Sequence, residues 1–126
     1  MVARILVLDD DPDMRELLQL YLASAGYAVH LAADALAAGK ILREIKPDLL
    51  LCDVHMPHMD GFEFVQTLKA DAALAKIPVI FLTCEEEGDC RAQELGVAGY
   101  VEKPVRLERL LSLVRAHLPA SKHAAR

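Results

Sequence analysis

The chain has 126 residues, 54% of them hydrophobic, and its 14 lysines and arginines face 19 aspartates and glutamates for a formal net charge of -5. That length suits one domain whose core needs no staples, and the acidic balance opposes direct attraction to nucleic acid or to an anionic membrane. Cys52, Cys84 and Cys90 form no CxxC pair, so neither a disulfide framework nor a zinc site is signalled.

Short apolar or β-branched runs alternate with segments at helical spacing, which is the pattern of βαβ units around a parallel sheet. Arg4–Leu8 reads as a strand. A helix follows: Asp11 caps it, Pro12 suits its first turn, and Met14, Leu17, Leu18, Tyr21 and Leu22 form one apolar face before Gly26 stops it. A second strand is expected over Ala28–Leu31. The next helix runs from about Ala35 to Glu44, with Gly39 in its interior costing about 1 kcal/mol relative to alanine. A third strand covers Leu49–Cys52, and a helix opening at Gly61 or Phe62 runs to about Ala70, burying Phe64, Val65 and Leu68. The fourth strand is Val79–Leu82. A short fourth helix, about Asp89 to Leu95, is expected after the acidic EEEGD stretch. The fifth strand is Gly99–Val101, and the last helix places Leu107, Leu110, Leu111, Val114 and Leu118 on one face until Pro119 ends it. The domain is expected over residues 1–119, with 120–126 a flexible tail or linker stub. The apolar runs are far shorter than the roughly 20 residues that cross a bilayer, and Met1 leads straight into a strand rather than a signal peptide, so a cytoplasmic location without a membrane partner is expected.

In a parallel α/β sheet, ligands sit beyond the carboxyl ends of the strands. Asp9 and Asp10 follow RILVL, Asp53 follows DLLLC, Thr83 follows PVIFL, and Lys103 stands before Pro104 after the fifth strand. Such carboxylates repel one another by about 4 kcal/mol per pair at about 4 Å and an effective dielectric near 20, so the cluster calls for a cation. Magnesium, which keeps several waters and takes one or two carboxylates plus a substrate phosphate, suits this supply. Asp53 is the candidate nucleophile, because a carboxylate attacks phosphorus readily once neighbouring charges neutralise the incoming oxygens; the product is an acyl phosphate. Lys103, whose bond to Pro104 permits a cis peptide, can pair with Asp53 at rest and with a phosphoryl oxygen after transfer. The Thr83 hydroxyl can donate to a phosphoryl oxygen.

The motifs ILVLDDDPD, PDLLLCDVHMPHMDGFEF, IPVIFLT and GYVEKP make the chain resemble the receiver domain of two-component response regulators, the class that includes the chemotaxis regulator. The resemblance covers Arg4 to Leu118. It implies a doubly wound, flavodoxin-like fold with strand order 2-1-3-4-5, and phosphorylation of Asp53 by a sensor histidine kinase or phosphotransfer protein. Magnesium, or manganese in its place, would be held by Asp10, Asp53 and the backbone carbonyl of His55, with Asp9 acting through water. Thr83 and Lys103 would hold the phosphoryl group, and Tyr100 would rotate inward as Thr83 moves. The implied output is control of a partner protein or fused effector domain, not enzymatic turnover of a substrate. His55 and His58 then do not form a metal site of their own; the His55 side chain overhangs the pocket, where it affects the lifetime of the acyl phosphate.

The segment between Thr83 and Gly96 is about two residues shorter than is usual in that family. Cys84 stands where alanine is common, Gly99 where DNA-binding members carry an aspartate used in dimers, Val105 where phenylalanine is frequent, and Arg106 where a capping residue is usual. These departures favour a monomer that signals through a protein. Two other readings compete. A phosphatase of the haloacid dehalogenase type would use Asp9 and Asp11 as its DxD pair, but Asp13 lies where it needs Thr or Val, and Asp53 would be unused. A receiver-like module without phosphorylation would have no need of an intact set of active-site residues.

Overall fold

The computed structural model describes residues 2–56, 60–83 and 96–118. The expected fourth helix, Cys84, Cys90, His58 and the tail from Pro119 lie outside them. The described elements are β1 (Arg4–Leu8), α1 (Pro12–Ser24), β2 (Ala28–Ala32), α2 (Ala35–Ile45), β3 (Leu49–Asp53), α3 (Gly61–Lys69), β4 (Val79–Thr83), β5 (Gly99–Glu102) and α4 (Leu107–Ala116). All strand pairs are parallel, in a five-stranded sheet of order β2-β1-β3-β4-β5.

Alternation along the strands divides the core in two. Leu6, Leu8, Leu50, Cys52, Val79 and Phe81 face α2 and α3, where they meet Ala38, Leu42, Phe62, Val65 and Leu68. Ile5, Val7, Leu49, Leu51, Ile80, Leu82 and Val101 face α1 and α4, against Leu18, Leu22, Leu110 and Val114. Each such side chain contributes about 1.5–3 kcal/mol when fully buried. A one-residue slip would send every inward side chain to the opposite face, so this double core fixes the register, and with it the residues at the strand ends.

Helix starts follow the sequence signals. The carboxylates of Asp11, Asp34 and Asp60 accept from the N–H groups of Asp13, Ala37 and Phe62 and cap α1, α2 and α3. Arg106 occupies the cap position of α4 with no side-chain hydrogen bond there. Two expectations shift. Four strands run one residue further than their apolar runs, ending on Ala32, Asp53, Thr83 and Glu102, because the ladder continues past the hydrophobic signal. Leu107, expected on the buried face, is 38% exposed, and Leu110 and Val114 carry the buried face of α4.

Candidate functional site

The sheet order reverses between β1 and β3, and the crevice there receives the acidic residues. Backbone bonds hold the strand ends in register: Asp9 N–H donates to the Ala32 carbonyl at 3.2 Å, Val54 N–H to Leu82 at 3.1 Å and Lys103 N–H to Thr83 at 2.8 Å. Continuing the alternation of the core, Asp9, Asp53 and Lys103 fall on the α1/α4 side, while Thr83 and Tyr100 fall on the α2/α3 side.

The contacts follow that division. Lys103 Nζ lies 3.3 Å from Asp9 Oδ2 and 3.3 Å from Asp53 Oδ1, so one ammonium bridges two buried carboxylates rather than pairing with Asp53 alone. The Lys103-Pro104 peptide is cis. Asp9 is fully buried and Asp53 is 4% exposed. Oδ1 of Asp9 accepts from the Asp11 N–H at 2.9 Å, and Oδ1 of Asp53 accepts from the His55 N–H at 3.3 Å. One carboxylate oxygen from each of Asp9, Asp10 and Asp53 falls within 4.8 Å of the others. Asp10 is the exposed member, and it lines a cavity of about 380 Å³ with Val54, His55, Met56 and Asp60. Thr83 is buried at the end of β4, and Tyr100, opposite Phe81 on β5, is half-buried against the α2/α3 core.

Electrostatics show what this cluster lacks. Burial, followed by the neighbouring Asp9 charge, pushes the Asp53 carboxyl up to about 6, and Lys103 together with the His55 N–H only partly opposes the rise. Burial works against the Lys103 ammonium, yet Asp53 and Asp9 together hold its pKa above the usual lysine value. Lys103 thus bridges the two buried carboxylates while the third, Asp10, lies at the rim, and this all-oxygen donor set fits a hard divalent cation such as magnesium. Cys52, beside Asp53, is a buried thiol whose pKa burial raises far above the ordinary value, so it is inert rather than nucleophilic.

Two contacts that the sequence reading did not mark shape the site, the first at Gly61, expected only as a start of the third helix. Gly61 opens α3 directly under the end of β3, donating its N–H to the Val54 carbonyl at 2.8 Å. A Cβ there would lie 2.2 Å from the Asp53 carbonyl oxygen, so only glycine lets α3 approach the strand end. The signal available was the DG pair at 60 and 61. Arg15 donates from Nη1 to the Asp9 carbonyl at 2.8 Å, a contact between α1 and β1 that helical periodicity does not mark.

A parallel doubly wound sheet with an acidic crevice at its switch point and a lysine from the last strand defines the class of aspartate-phosphorylated receivers. The chain matches the response regulator receiver domain family over residues 5–115 and belongs to it. It is 37% identical over 117 residues to the DNA-binding dual master transcriptional regulator RpaA of Synechocystis, covering 91% of this chain and 48% of that protein. It is 35% identical over 117 residues to the DNA-binding response regulator MtrA of Mycolicibacterium smegmatis, covering 91% of this chain and 50% of that protein. The chain therefore spans about half the length of these relatives. The Vibrio cholerae chemotaxis protein CheY4 superposes with a TM-score of 0.87 at 32% identity, covering 94% of this chain and all of that one. The fold is flavodoxin-like with strand order 2-1-3-4-5, as the motifs imply, and the protein is a receiver domain of two-component signal transduction.

Proposed function

We propose that Asp53 is the phosphoacceptor, taking a phosphoryl group from the phosphohistidine of a sensor kinase or phosphotransfer protein. The observation that carries this reading is the Lys103 ammonium bridging Asp53 and Asp9 at 3.3 Å each, at the rim of an acidic cluster built on the switch point of the sheet. A carboxylate oxygen of Asp53 forms the bond to phosphorus as the phosphorus–nitrogen bond of the donor breaks, and the electron pair leaves with the imidazole. Asp10, Asp53 and the His55 carbonyl would hold magnesium or manganese, with Asp9 acting through water, and the ion would supply positive charge to neutralise the transferring oxygens. Lys103 stays on Asp9 and offers its free donors to one phosphoryl oxygen, and the Thr83 hydroxyl serves another. Thr83, drawn toward the phosphate, leaves room for Tyr100 on the same side of the sheet, and this switch controls a protein partner or an effector domain. The protein acts as a signalling phosphoacceptor in the cytoplasm; among the described residues no helix is long and apolar enough to cross a membrane.

Incubation with magnesium and acetyl phosphate, read by intact mass, is expected to add one phosphoryl group that Asp53→Asn abolishes. Labelling that persists in this variant would refute the assignment. The phosphatase reading needs the Asp11 carboxylate in the cluster, but that carboxylate caps α1 on the Asp13 N–H at 2.9 Å.

A further inference from the structure

Arg15 lies one turn into α1, and its guanidinium reaches back over the amino end of the helix to the Asp9 carbonyl, 2.8 Å from Nη1. A cation so placed runs against the helix dipole, whose positive end favours anions. The hydrogen bond to the Asp9 carbonyl places the guanidinium next to a residue of the acidic cluster. The carbonyl it holds belongs to the peptide joining Asp9 to Asp10. The Asp9 N–H is fixed on Ala32, its Oδ1 on the Asp11 N–H and its Oδ2 on Lys103. Those contacts hold Asp9 itself. The bond from Arg15 sets the plane of the following peptide, which aims the exposed Asp10.

We propose that Arg15 is a positioning residue for the divalent cation: by holding the Asp9 carbonyl it orients the Asp9–Asp10 peptide so that the Asp10 carboxylate meets the ion beside Asp9, which acts through water. This rests on reading the acidic cluster as the magnesium site. Arg15 touches neither the reacting atoms nor the ion, and acts through the backbone it restrains. Its charge also shields the carboxylates from one another before the ion arrives, but charge alone would make removal of Arg15 tighten magnesium binding, whereas positioning makes removal weaken it. The two effects have opposite signs.

The test compares wild type, Arg15→Met and Arg15→Lys in the full chain by magnesium titration followed in amide NMR spectra and by acetyl phosphate labelling over a range of magnesium concentrations. Outer contacts to metal-holding groups commonly change affinity about 10–100-fold, so Arg15→Met is expected to weaken magnesium binding about tenfold. Its labelling should slow at low magnesium and recover at saturation. Arg15→Lys keeps a charged donor and should regain most of the affinity. Magnesium binding by Arg15→Met at or above the wild-type affinity overturns the proposal, and so does an equal loss in both variants, because positioning through a donated hydrogen bond requires the rescue. The wild-type titration tests the underlying reading separately: a wild type that binds no magnesium removes the metal site, whereas a wild type that binds while Arg15→Met matches it removes only Arg15.

Discussion

Asp53 ends a fully buried strand, 4% exposed and beside the carboxylate of Asp9, and it takes up protons more readily than an ordinary aspartate, at about 6 instead of 3.8. A folded-state value above the unfolded one means that the native protein holds a proton between about pH 4 and pH 6 that the unfolded chain has released. Stability therefore falls as pH rises through that window, and above it the ionised Asp53 is a standing cost in the absence of metal. Asp53→Asn is expected to raise the metal-free unfolding free energy at pH 7.5 by on the order of 1 kcal/mol, with the gain vanishing below about pH 4, where the wild-type carboxyl is neutral in both states. Urea unfolding of both proteins at the two pH values checks this, and a gain independent of pH would show that packing rather than charge sets the difference. Asp10→Asn should act in the same direction and also blunt the rise in melting temperature that magnesium gives the wild type. Of the residues concerned, Asp9, Asp10, Asp53, Thr83 and Lys103 were legible because each closes or follows a hydrophobic run. The second partner of Lys103 was not, because the pleat phase that puts Asp9 and Asp53 on one side depends on the register of three strands at once.

Glycines separate the roles of the elements. In α2, a Cβ on Gly39 would come no closer than 3.5 Å to the flexible guanidinium of Arg43, an ordinary contact. Gly39→Ala should therefore stabilise the protein by about 0.5–1 kcal/mol through helix propensity alone, leaving phosphorylation unchanged. At the mouth of α3, Gly61→Ala drives a methyl into the Asp53 carbonyl, and something must shift. Overpacking of this kind commonly costs about 1–3 kcal/mol. Because the shifted element is the end of β3, labelling of Asp53 by acetyl phosphate should slow even under conditions where the variant is fully folded. Thermal melts alongside labelling rates separate the two glycines, and a Gly61→Ala variant with wild-type labelling would show that α3 does not position the acceptor. The cap of α1 and the apolar faces of α1 and α3 could be read directly, since capping and periodicity are local, whereas the Asp34 and Asp60 caps came from the structure. The last residue of four strands, the exposure of Leu107 and the closeness of α3 to β3 could not, because each is decided by where another element lies.

At the scale of the whole molecule, the question is how an event at Asp53 reaches a surface. Thr83 and Tyr100 share the α2/α3 side of the sheet on neighbouring strands, with Tyr100 opposite Phe81 and Thr83 two residues further along β4. Tyr100 also borders a cavity of about 480 Å³ lined by Glu102, Lys103, Pro104, Arg106 and Arg109. A coupling of about 1–3 kcal/mol between the phosphoryl group and the position of that ring suffices to shift the population between two states. Two of the relatives, RpaA and MtrA, are DNA-binding regulators about twice the length of this chain. In this chain Gly99, at the start of β5, offers no charged side chain for pairing with a second copy, and Arg106 leaves the amino end of α4 without a side-chain cap. Beryllofluoride, as a mimic of the phosphoryl group, is therefore expected to slow amide exchange at Thr83 and Tyr100 while light scattering at tens of micromolar still reports a monomer. Dimerisation that requires the mimic, and that substitution of Tyr100 or Arg109 abolishes, would place the output in self-association instead of in contact with a different protein. Unchanged exchange at both residues, with the mimic demonstrably bound, would remove Thr83 and Tyr100 as the switch altogether.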